Sequence, residues 1–319
     1  MSKPRSLPPS GLDELLKLDA ARRAGALIAS ATSADLRRAR ALLEADPALA
    51  RYDLACACAT GEVDEVSRQL AARPAAVSEP AGPSGREPIL YACFSRLRRG
   101  DPERAPGIRE VVRRLLDAGA DPNASFIHDG DWLQVALYGV AEIAGDPELT
   151  RMLLDAGADA TDDRDGYHGN EVLYHACEFP DPTCAMLVID AGAPIDATDE
   201  HGLTALRIAT RWGEDEVAAL LRERGADAAA ITDGDRARGA ALTFRDGGSA
   251  IGAALHGSRH CHDPEGGPTM RTIDEIPTEP YAEIVRILLA AGATVPDRIG
   301  DNGARGTMLV AELGVDPPL

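Results

Sequence analysis

The segment HGSRHCHD, residues 256 to 263, holds the densest group of side chains that bind metals. His256 and His260 are four residues apart and would share one face of a helix. The same segment also supplies Cys261, His262 and Asp263. A zinc site needs three or four groups that converge, and a single local cluster seldom supplies them alone. We therefore predict a polar solvated loop, no metal site and no cofactor, with a zinc site as the alternative.

The spacing of the other candidate residues does not fit a calcium site or a catalytic site. The acidic stretch TDDRDG is similar to a calcium loop, but its first and twelfth positions would be Thr161 and Val172, where carboxylates are required. His175 and Cys177 are two residues apart on one predicted helix, so their side chains point in different directions. The sequence contains no Gly-x-Ser-x-Gly, phosphate-binding loop or His-Glu-x-x-His motif. We therefore assign no catalytic residue.

The elements that would position these side chains follow a repeat. The stretch LLDAGADPN (115 to 123) recurs as LLDAGADAT, LVIDAGAPIDA, LLRERGADAAA and LLAAGATVP. Successive glycines of this stretch are 38, 35, 33 and 67 residues apart, and the last interval is about two periods; they are Gly119, Gly157, Gly192, Gly225 and Gly292. A period near 33 residues predicts an array of stacked units.

The clearest unit is DEHGLTALRIATRWGEDEVAALLRERGADA, residues 199 to 228, which resembles the ankyrin repeat. The positions that match the family pattern are Gly202, Thr204, Ala205, Leu206, Ala209, Gly213, Val217, Leu220, Leu221, Gly225, Ala226 and Asp227. Arg207 departs from the pattern, since the family usually has histidine there. We expect Thr204 to cap the first helix and Gly225 to end the second in the left-handed conformation. One unit cannot bury both of its faces, so the units must stack.

The resemblance covers most of the chain and implies an all-α fold, an ankyrin-repeat helical solenoid with short hairpin fingers. We predict N-terminal capping helices at 1–50, a repeat array at 51–294 and a C-terminal cap at 295–319. Insertions are expected near 96–106, 229–248 and 257–280. The arginines between 95 and 114 form the one locally basic region. We expect a solvated loop and the exposed side of a helix there, with a contact to an acidic partner as the alternative.

The cysteines favour a structural role. Cys58, Cys93 and Cys177 each follow the inward-facing alanine of a unit, which predicts small core residues at one repeated position. Equivalent positions on helices about 8–10 Å apart are too distant for an unstrained disulfide. We therefore expect reduced thiols and a cytoplasmic protein. No stretch approaches the roughly eighteen apolar residues of a membrane helix, and the charged, proline-broken start is interpreted as mature sequence.

The charge balance restricts the class of partner. The chain has 33 basic and 52 acidic side chains, a net charge of −19. Such a surface repels nucleic acids and anionic membranes, so we exclude both as partners. We predict a monomer that binds a protein with a basic surface.

The predicted contact surface follows from the resemblance. In the ankyrin pattern, the hairpin tips and the positions just after the inward alanine line the concave face. Here these places hold Phe94, Phe126, His128, Asp131, Trp132, Tyr167, His168, Asn170, Glu178, Phe179, Glu200, His201, Arg211 and Trp212. The set contains both tryptophans and three of the four phenylalanines of a chain with only 4% aromatic residues, which favours a recognition surface. The alternative is that the longer hairpins fold back and bury their own aromatic rings.

Three functions are compatible with these patterns. The first is a protein-binding module that uses the concave groove and the fingers, for instance as an inhibitor or immunity protein against a basic toxin or nuclease. The second is an enzyme or small-molecule binder whose site lies between the fingers and the histidine-rich insertion. His128, His168 and Asp131 would then serve as acid, base and orienting group. The third is a scaffold that joins several proteins through weak surfaces.

Overall fold

A computed structural model describes residues 11–32, 36–128, 132–141, 145–161, 171–198, 204–228 and 279–293. The chain forms two compact units, Met1–Ala158 and Asp159–Leu319. The all-α fold class is confirmed, since helices account for nearly all of the regular structure in these ranges. Within them, no helix combines the length and the apolar character needed to cross a bilayer.

The first unit contains ten described helices and one hairpin. The helices are α1 (Leu12–Leu16), α2 (Ala20–Ala31), α3 (Arg37–Ala45), α4 (Leu54–Thr60), α5 (Val63–Ala72), α6 (Pro88–Cys93), α7 (Leu97–Gly100), α8 (Ala105–Asp117), α9 (Ala136–Ala141) and α10 (Pro147–Asp155). Short 3₁₀ turns at Pro47–Arg51 and Pro74–Val77 follow α3 and α5. The hairpin pairs β1 (Ser125–His128) with β2 (Trp132–Val135).

The second unit contains five helices in its described ranges. They are α11 (Glu171–Ala176), α12 (Thr183–Asp190), α13 (Ala205–Trp212), α14 (Asp215–Glu223) and α15 (Glu279–Ala290). Helix α11 packs against α12 and α13, and α14 packs against α13 and α15. Each pair therefore contacts the next along the chain, as stacked repeats require.

The core of the first unit lies between short inner helices and longer outer ones. Every residue of α4, α6 and α9 is buried. The outer helix α8 is amphipathic and buries only one stripe, formed by Ile108, Val111, Val112 and Leu115. Alanine and cysteine predominate on α4, so neighbouring helices can approach it from both sides. The inner helices therefore form the apolar centre that the outer helices cover.

Local capping fixes where the helices begin and end. The side chain of Thr204 accepts a hydrogen bond from the backbone N–H of Arg207 at 3.3 Å, which confirms the expected cap of α13. The carboxylate of Asp53 accepts the equivalent bond from Cys56 at 2.7 Å. Gly225 has φ of 98°, which confirms the left-handed turn after α14. These caps and turns depend only on residues that are close in the sequence. The sequence pattern predicted the cap at Thr204 and the left-handed turn at Gly225.

Residues 95–104 differ from the solvated loop that we expected. Arg98 lies inside the unit and donates hydrogen bonds to the carbonyl oxygens of Ala92 at 2.8 Å, Cys93 at 2.9 Å and Gly139 at 3.1 Å. Ser95 Oγ donates to the carbonyl of Ala59 at 2.6 Å. The last carbonyls of a helix have no partner within it, and water cannot reach these. The expectation is therefore wrong at Arg98, because the segment supplies donors to the buried ends of inner helices.

The thiols lie where the repeat pattern placed them. Cys58, Cys93 and Cys177 are buried, which confirms their predicted place in the core. Cys56 and Cys184 are buried as well, and all five cysteines in the described ranges are free thiols. Burial raises the pKa of Cys93 to about 12 and raises the pKa of Cys56, Cys58 and Cys177 still further. Cys261 lies outside the residues that the structure describes.

Candidate functional site

The finger of the first unit projects from the chain between α8 and α9. Its two strands are antiparallel, with Phe126 opposite Gln134 and His128 opposite Trp132. Residues of alternate position share a face of a strand, so Phe126 and His128 lie on one face and Ile127 on the other. The structure thus confirms that this unit carries one of the expected hairpin fingers, over Ser125–Val135.

The base of the finger holds a group of aromatic rings and one cation, which we call the Phe126 cluster: Arg86, Phe94, Phe126 and Tyr138. The Cζ atom of Arg86 lies 3.4 Å from the centroid of the Phe126 ring. Phe94 meets Phe126 edge to face at a centroid distance of 5.0 Å, and it stacks on Tyr138 at 6.2 Å. Edge-to-face and offset contacts are the favourable arrangements of aromatic pairs. The strand residue Phe126 is therefore held from two sides.

Phe94 is not the exposed contact residue that we expected. Its exposed fraction is 4%. The cause is Gly139 on α9: a Cβ atom there would lie 2.8 Å from Phe94 Cδ2, so the missing side chain makes room for the ring. The expectation of exposure is wrong at this position because a neighbouring repeat covers it. Phe94 supports Phe126 from beneath instead.

A turn closed by a single backbone bridge between Ala81 and Arg86 positions Arg86. The backbone N–H of Ala81 donates to the carbonyl of Arg86 at 2.9 Å. The hydroxyl of Tyr91 donates to the carbonyl of Ala81 at 2.6 Å and accepts from the N–H of Arg86 at 3.4 Å. Gly82 has φ of 62° and approaches Ala55 so closely that a Cβ atom would lie 2.5 Å from the Ala55 methyl. The backbone of Arg86 is thus fixed to the buried ring of Tyr91.

Each face of the finger carries a side chain that is exposed to water. Ile127 has an exposed fraction of 45%, and His128 is also exposed. The His128 ring lies 6.5 Å from the Phe126 ring and nearly perpendicular to it. Phe126 itself is half-buried, since Arg86 and Phe94 cover part of the ring. The finger therefore exposes Ile127 on one face, and on the other face it presents His128 beside a Phe126 ring that cannot move freely.

The charges at the base of the finger lie in a partly desolvated environment. Burial lowers the pKa of Arg86. Burial, together with the charge of Asp121, raises the pKa of Glu87. The guanidinium of Arg86 makes its contact with Phe126, and within the described ranges no carboxylate pairs with it. Its positive charge is therefore not neutralised by that part of the chain.

In the second unit, four predicted contact residues lie at the C-terminal ends of two inner helices. Glu178 and Phe179 follow α11, and Arg211 and Trp212 end α13; all four are half-buried. Glu178 Oε1 lies 3.3 Å from Nδ1 of His175. Helices α11 and α13 pack against each other, so the structure places both pairs at the same end of neighbouring helices.

The remaining predicted residues lie outside the described ranges. They are Asp131, Tyr167, His168, Asn170, Glu200 and His201. For Trp132 the structure gives the strand backbone only. The histidine-rich segment 256–263 and the insertions at 229–248 and 257–280 are outside as well. Among the residues that are described, no group of three or more histidines, cysteines and acidic residues is arranged to hold a metal.

The described arrangement is suited to binding. The thiol of Cys177 is buried and has a raised pKa, so it is a poor nucleophile. His175 lies beside the carboxylate of Glu178. By contrast, the Phe126 cluster combines a fixed aromatic ring, a cation and an exposed aliphatic side chain, which are the groups that dominate recognition surfaces.

Sequence reasoning did not find Arg86, Tyr138 or Gly139 as parts of the site. Arg86 ends the stretch GPSGR, whose composition indicates a turn. That pattern does not indicate a contact with the ring of Phe126, which lies 40 residues later in the chain. Gly139 lies inside a helix, where glycine lowers stability relative to alanine. Its presence there could have indicated a close contact with a neighbouring element.

Comparisons with known proteins agree with the helical pairs described above. A family model for ankyrin repeats (three copies) matches residues 137–232. The human B-cell lymphoma 3 protein is similar to this chain, with 40% identity over 68 residues, which is 20% of this chain and 15% of the human protein. The mouse B-cell lymphoma 3 protein homolog is 35% identical over 68 residues, again 20% of this chain and 15% of the mouse protein. The similarity thus spans a small part of these curated relatives.

Proposed function

We infer that this chain, which is an ankyrin-repeat protein and a protein-binding module, binds a protein with a basic surface through its hairpin finger. The observation that carries this proposal is the exposure of Ile127 on one face of a finger whose other face holds a fixed aromatic ring. Ile127 is 45% exposed, and its neighbour Phe126 is held by Arg86 and Phe94. A rigid apolar anchor loses little conformational entropy when a partner covers it.

The contact surface in this proposal contains the residues of the finger and the ends of the inner helices. Its members are Phe126, Ile127, His128, Asp131, Trp132, Tyr167, His168, Asn170, Glu178, Phe179, Glu200, His201, Arg211 and Trp212. Phe94 acts as the support of Phe126. An interface of normal size buries about 800 Å² on each partner, which a set of this length can supply.

The charge of the chain supports a basic partner. The net charge is −19, and in the first unit the exposed Asp117 and Asp155 end the outer helices α8 and α10, while the exposed Asp121 lies in the loop after α8. Such a field attracts a basic protein and accelerates its association. An inhibitor or immunity protein that occludes a basic toxin or nuclease is the version we propose. The same charge repels a second copy of the chain, which supports a monomer.

The location and the domain limits are part of the same proposal. The five free thiols in the described ranges support a reducing compartment, and we propose the cytoplasm. We propose capping helices at 1–50, a repeat array at 51–294 and a cap at 295–319. In the first of these, α1, α2 and α3 pack against one another.

The test starts from the purified full chain immobilised on a resin. Proteins retained from a lysate of the source cells are identified by mass spectrometry, and the one with a basic surface is purified and titrated by calorimetry. We expect Ile127→Ser to weaken binding by about tenfold, which corresponds to about 1.4 kcal/mol. We expect affinity to fall as salt rises, because the attraction is between exposed charges. If the partner is a toxin or nuclease, binding should also abolish its activity.

Tyr52→Ser is the matched control, because Tyr52 is 46% exposed and lies outside the finger. It should leave the affinity unchanged. A partner that binds Ile127→Ser as tightly as the wild type would exclude the finger as the contact surface. Retention of no protein above a blank resin would contradict the proposal as a whole.

A further inference from the structure

We propose that Arg86 is the carboxylate-binding anchor of the finger surface. Its guanidinium pairs with an aspartate, a glutamate or the C-terminal carboxylate of the partner protein while it remains over the ring of Phe126. This inference rests on the proposed function and specifies one contact of the bound complex.

The first argument is the set of donors that Arg86 leaves unused. Its Cζ lies 3.4 Å from the Phe126 centroid, and this cation–π contact employs the positive charge and no hydrogen-bond acceptor. A guanidinium has five N–H donors in a planar fork, which matches the two oxygens of a carboxylate. Arg86 is partly exposed, so a group from outside can reach it.

The second argument is the contrast with three other partly or fully buried arginines of the same unit, Arg98, Arg104 and Arg109. Arg98 donates to three carbonyl oxygens. Arg104 donates to the carbonyl of Thr60 at 2.9 Å, and Arg109 donates to the carboxylate of Asp146 at 3.0 Å. Within the described ranges the guanidinium of Arg86 has no such acceptor. Its desolvation is therefore not offset there by an anion, and a carboxylate from a partner would offset it.

The third argument is that the side chain is already in place before binding. Both the N–H and the carbonyl of Arg86 are hydrogen-bonded, to Tyr91 and Ala81 respectively. The ring of Phe126 is in turn fixed by Phe94. An arginine that is ordered in the free protein loses less rotamer entropy on binding than a mobile one.

The charge around Arg86 selects a single carboxylate over a polyanion. The chain as a whole carries a net charge of −19. A phosphate or a nucleic acid carries several negative charges and would be repelled by this field, whereas one carboxylate can be held by the fork alone. Because the surface is acidic elsewhere, the pair between Arg86 and one carboxylate would determine how a partner that is basic overall is aligned on the finger.

The probe for the test is a phage-displayed library of random twelve-residue peptides, displayed with free C-termini and selected on the immobilised full chain. We expect the enriched peptides to share an aspartate, a glutamate or a free C-terminus at one position. Calorimetry with the tightest peptide should show a loss of about 10- to 100-fold for Arg86→Gln, as expected for a charged hydrogen bond. Replacing the shared peptide carboxylate by an amide should cause the same loss on the wild type and none on Arg86→Gln.

Arg151→Gln is the matched control, since Arg151 is an exposed arginine of α10 with the same charge. It should leave the affinity unchanged. Arg86→Lys keeps the charge and should retain only part of the affinity, because an ammonium cannot form the bidentate pair. Unfolding midpoints by circular dichroism separate a binding defect from a folding defect, and the peptide amide on the wild type gives the answer even if Arg86→Gln unfolds.

Two outcomes overturn the inference, and they differ in what they say about the proposed function. Enriched peptides without a shared carboxylate that bind Arg86→Gln normally but bind Ile127→Ser weakly would overturn the role of Arg86 and leave the finger as the contact surface. A selection that enriches no sequence, or only peptides indifferent to Ile127→Ser, would overturn both.

Discussion

The buried guanidinium of Arg98 donates a hydrogen bond of 3.1 Å to the carbonyl oxygen of Gly139, a residue 41 positions further along the chain. The same group donates to the carbonyl oxygens of Ala92 and Cys93 at the end of α6. One side chain therefore joins the C-terminal end of α6 to the interior of α9, which belongs to the next repeat.

The first prediction concerns Arg98 itself. Arg98→Met keeps most of the volume but leaves three buried carbonyl oxygens with one donor fewer each, so we expect a loss of about 3 kcal/mol in the free energy of unfolding. Urea titration followed by circular dichroism measures it. Arg151→Met, on the surface of α10, should change the same quantity by less than about 0.5 kcal/mol. An equal loss in both variants would show that burial of Arg98 is not what matters.

The second prediction concerns the buried carboxylate of Asp146. It accepts from Arg109 Nε at 3.0 Å and from the N–H of Leu149 at 3.1 Å, and its Oδ2 lies 3.9 Å from Nε of Arg98. We expect Asp146→Ala to lower the free energy of unfolding by about 3–5 kcal/mol, because it removes a helix cap and takes the nearby carboxylate away from the buried guanidinium of Arg98.

Asp146 and Arg98 should be coupled, so the double variant Arg98→Met, Asp146→Ala should lose less than the sum of the two single variants by at least about 1 kcal/mol. The same urea titration gives the three values. Strict additivity would mean that the 3.9 Å separation carries no interaction energy.

The third prediction concerns Gly139 and the support of Phe126. A Cβ atom at this position would lie 2.8 Å from Phe94 Cδ2 and 2.8 Å from the carbonyl oxygen of Cys93. We expect Gly139→Ala to destabilise the chain by about 1–3 kcal/mol through overpacking, in spite of the better helix propensity of alanine. It should also weaken partner binding, because Phe94 must shift and Phe126 rests on it.

Gly25→Ala provides the comparison for Gly139, since both glycines lie in helices. The nearest atom to a Cβ at position 25 is Pro83 Cβ at 3.8 Å, an ordinary contact. We expect this variant to be stabilised by about 0.5–1 kcal/mol. A stabilised Gly139→Ala would show that the ring of Phe94 can move without cost.

The fourth prediction concerns alkaline pH. Burial raises the pKa of Cys56, Cys58, Cys93 and Cys177 above the ordinary thiol value. The folded chain then binds more protons than the unfolded chain at alkaline pH, so stability is complete below the ordinary thiol pKa and is lost as pH rises above it. Each thiol should contribute a loss of about 1.4 kcal/mol for every pH unit above about 9.

Urea titrations between pH 7 and pH 10 measure this slope. Cys93→Ala removes one of the thiols, so the loss of unfolding free energy per pH unit should be smaller by the contribution of one thiol. In the native state at pH 8, these thiols should react with a thiol reagent only as fast as the chain opens. Rapid native-state labelling of Cys93 would contradict the role of burial.

Much of the fold was predictable because it depends on short-range patterns. The repeated LLDAGAD stretches indicated paired helices, and the expected cap at Thr204 and left-handed turn at Gly225 are confirmed. The core position of Cys93 followed from its place after an inward alanine. Each of these features is set by helix periodicity or by the backbone conformation of a single residue.

Tertiary structure decided which side chains the repeats bury and which they leave accessible. Phe94 and Arg98 were expected at the surface and lie inside, because α9 packs over them with a glycine at the point of closest approach. Arg86 meets Phe126 although 40 residues separate them. The sequence alone determined the kind of unit and its period, since these are local. The surface was decided by packing between units, where the exposure of one residue depends on the size of another in the next repeat.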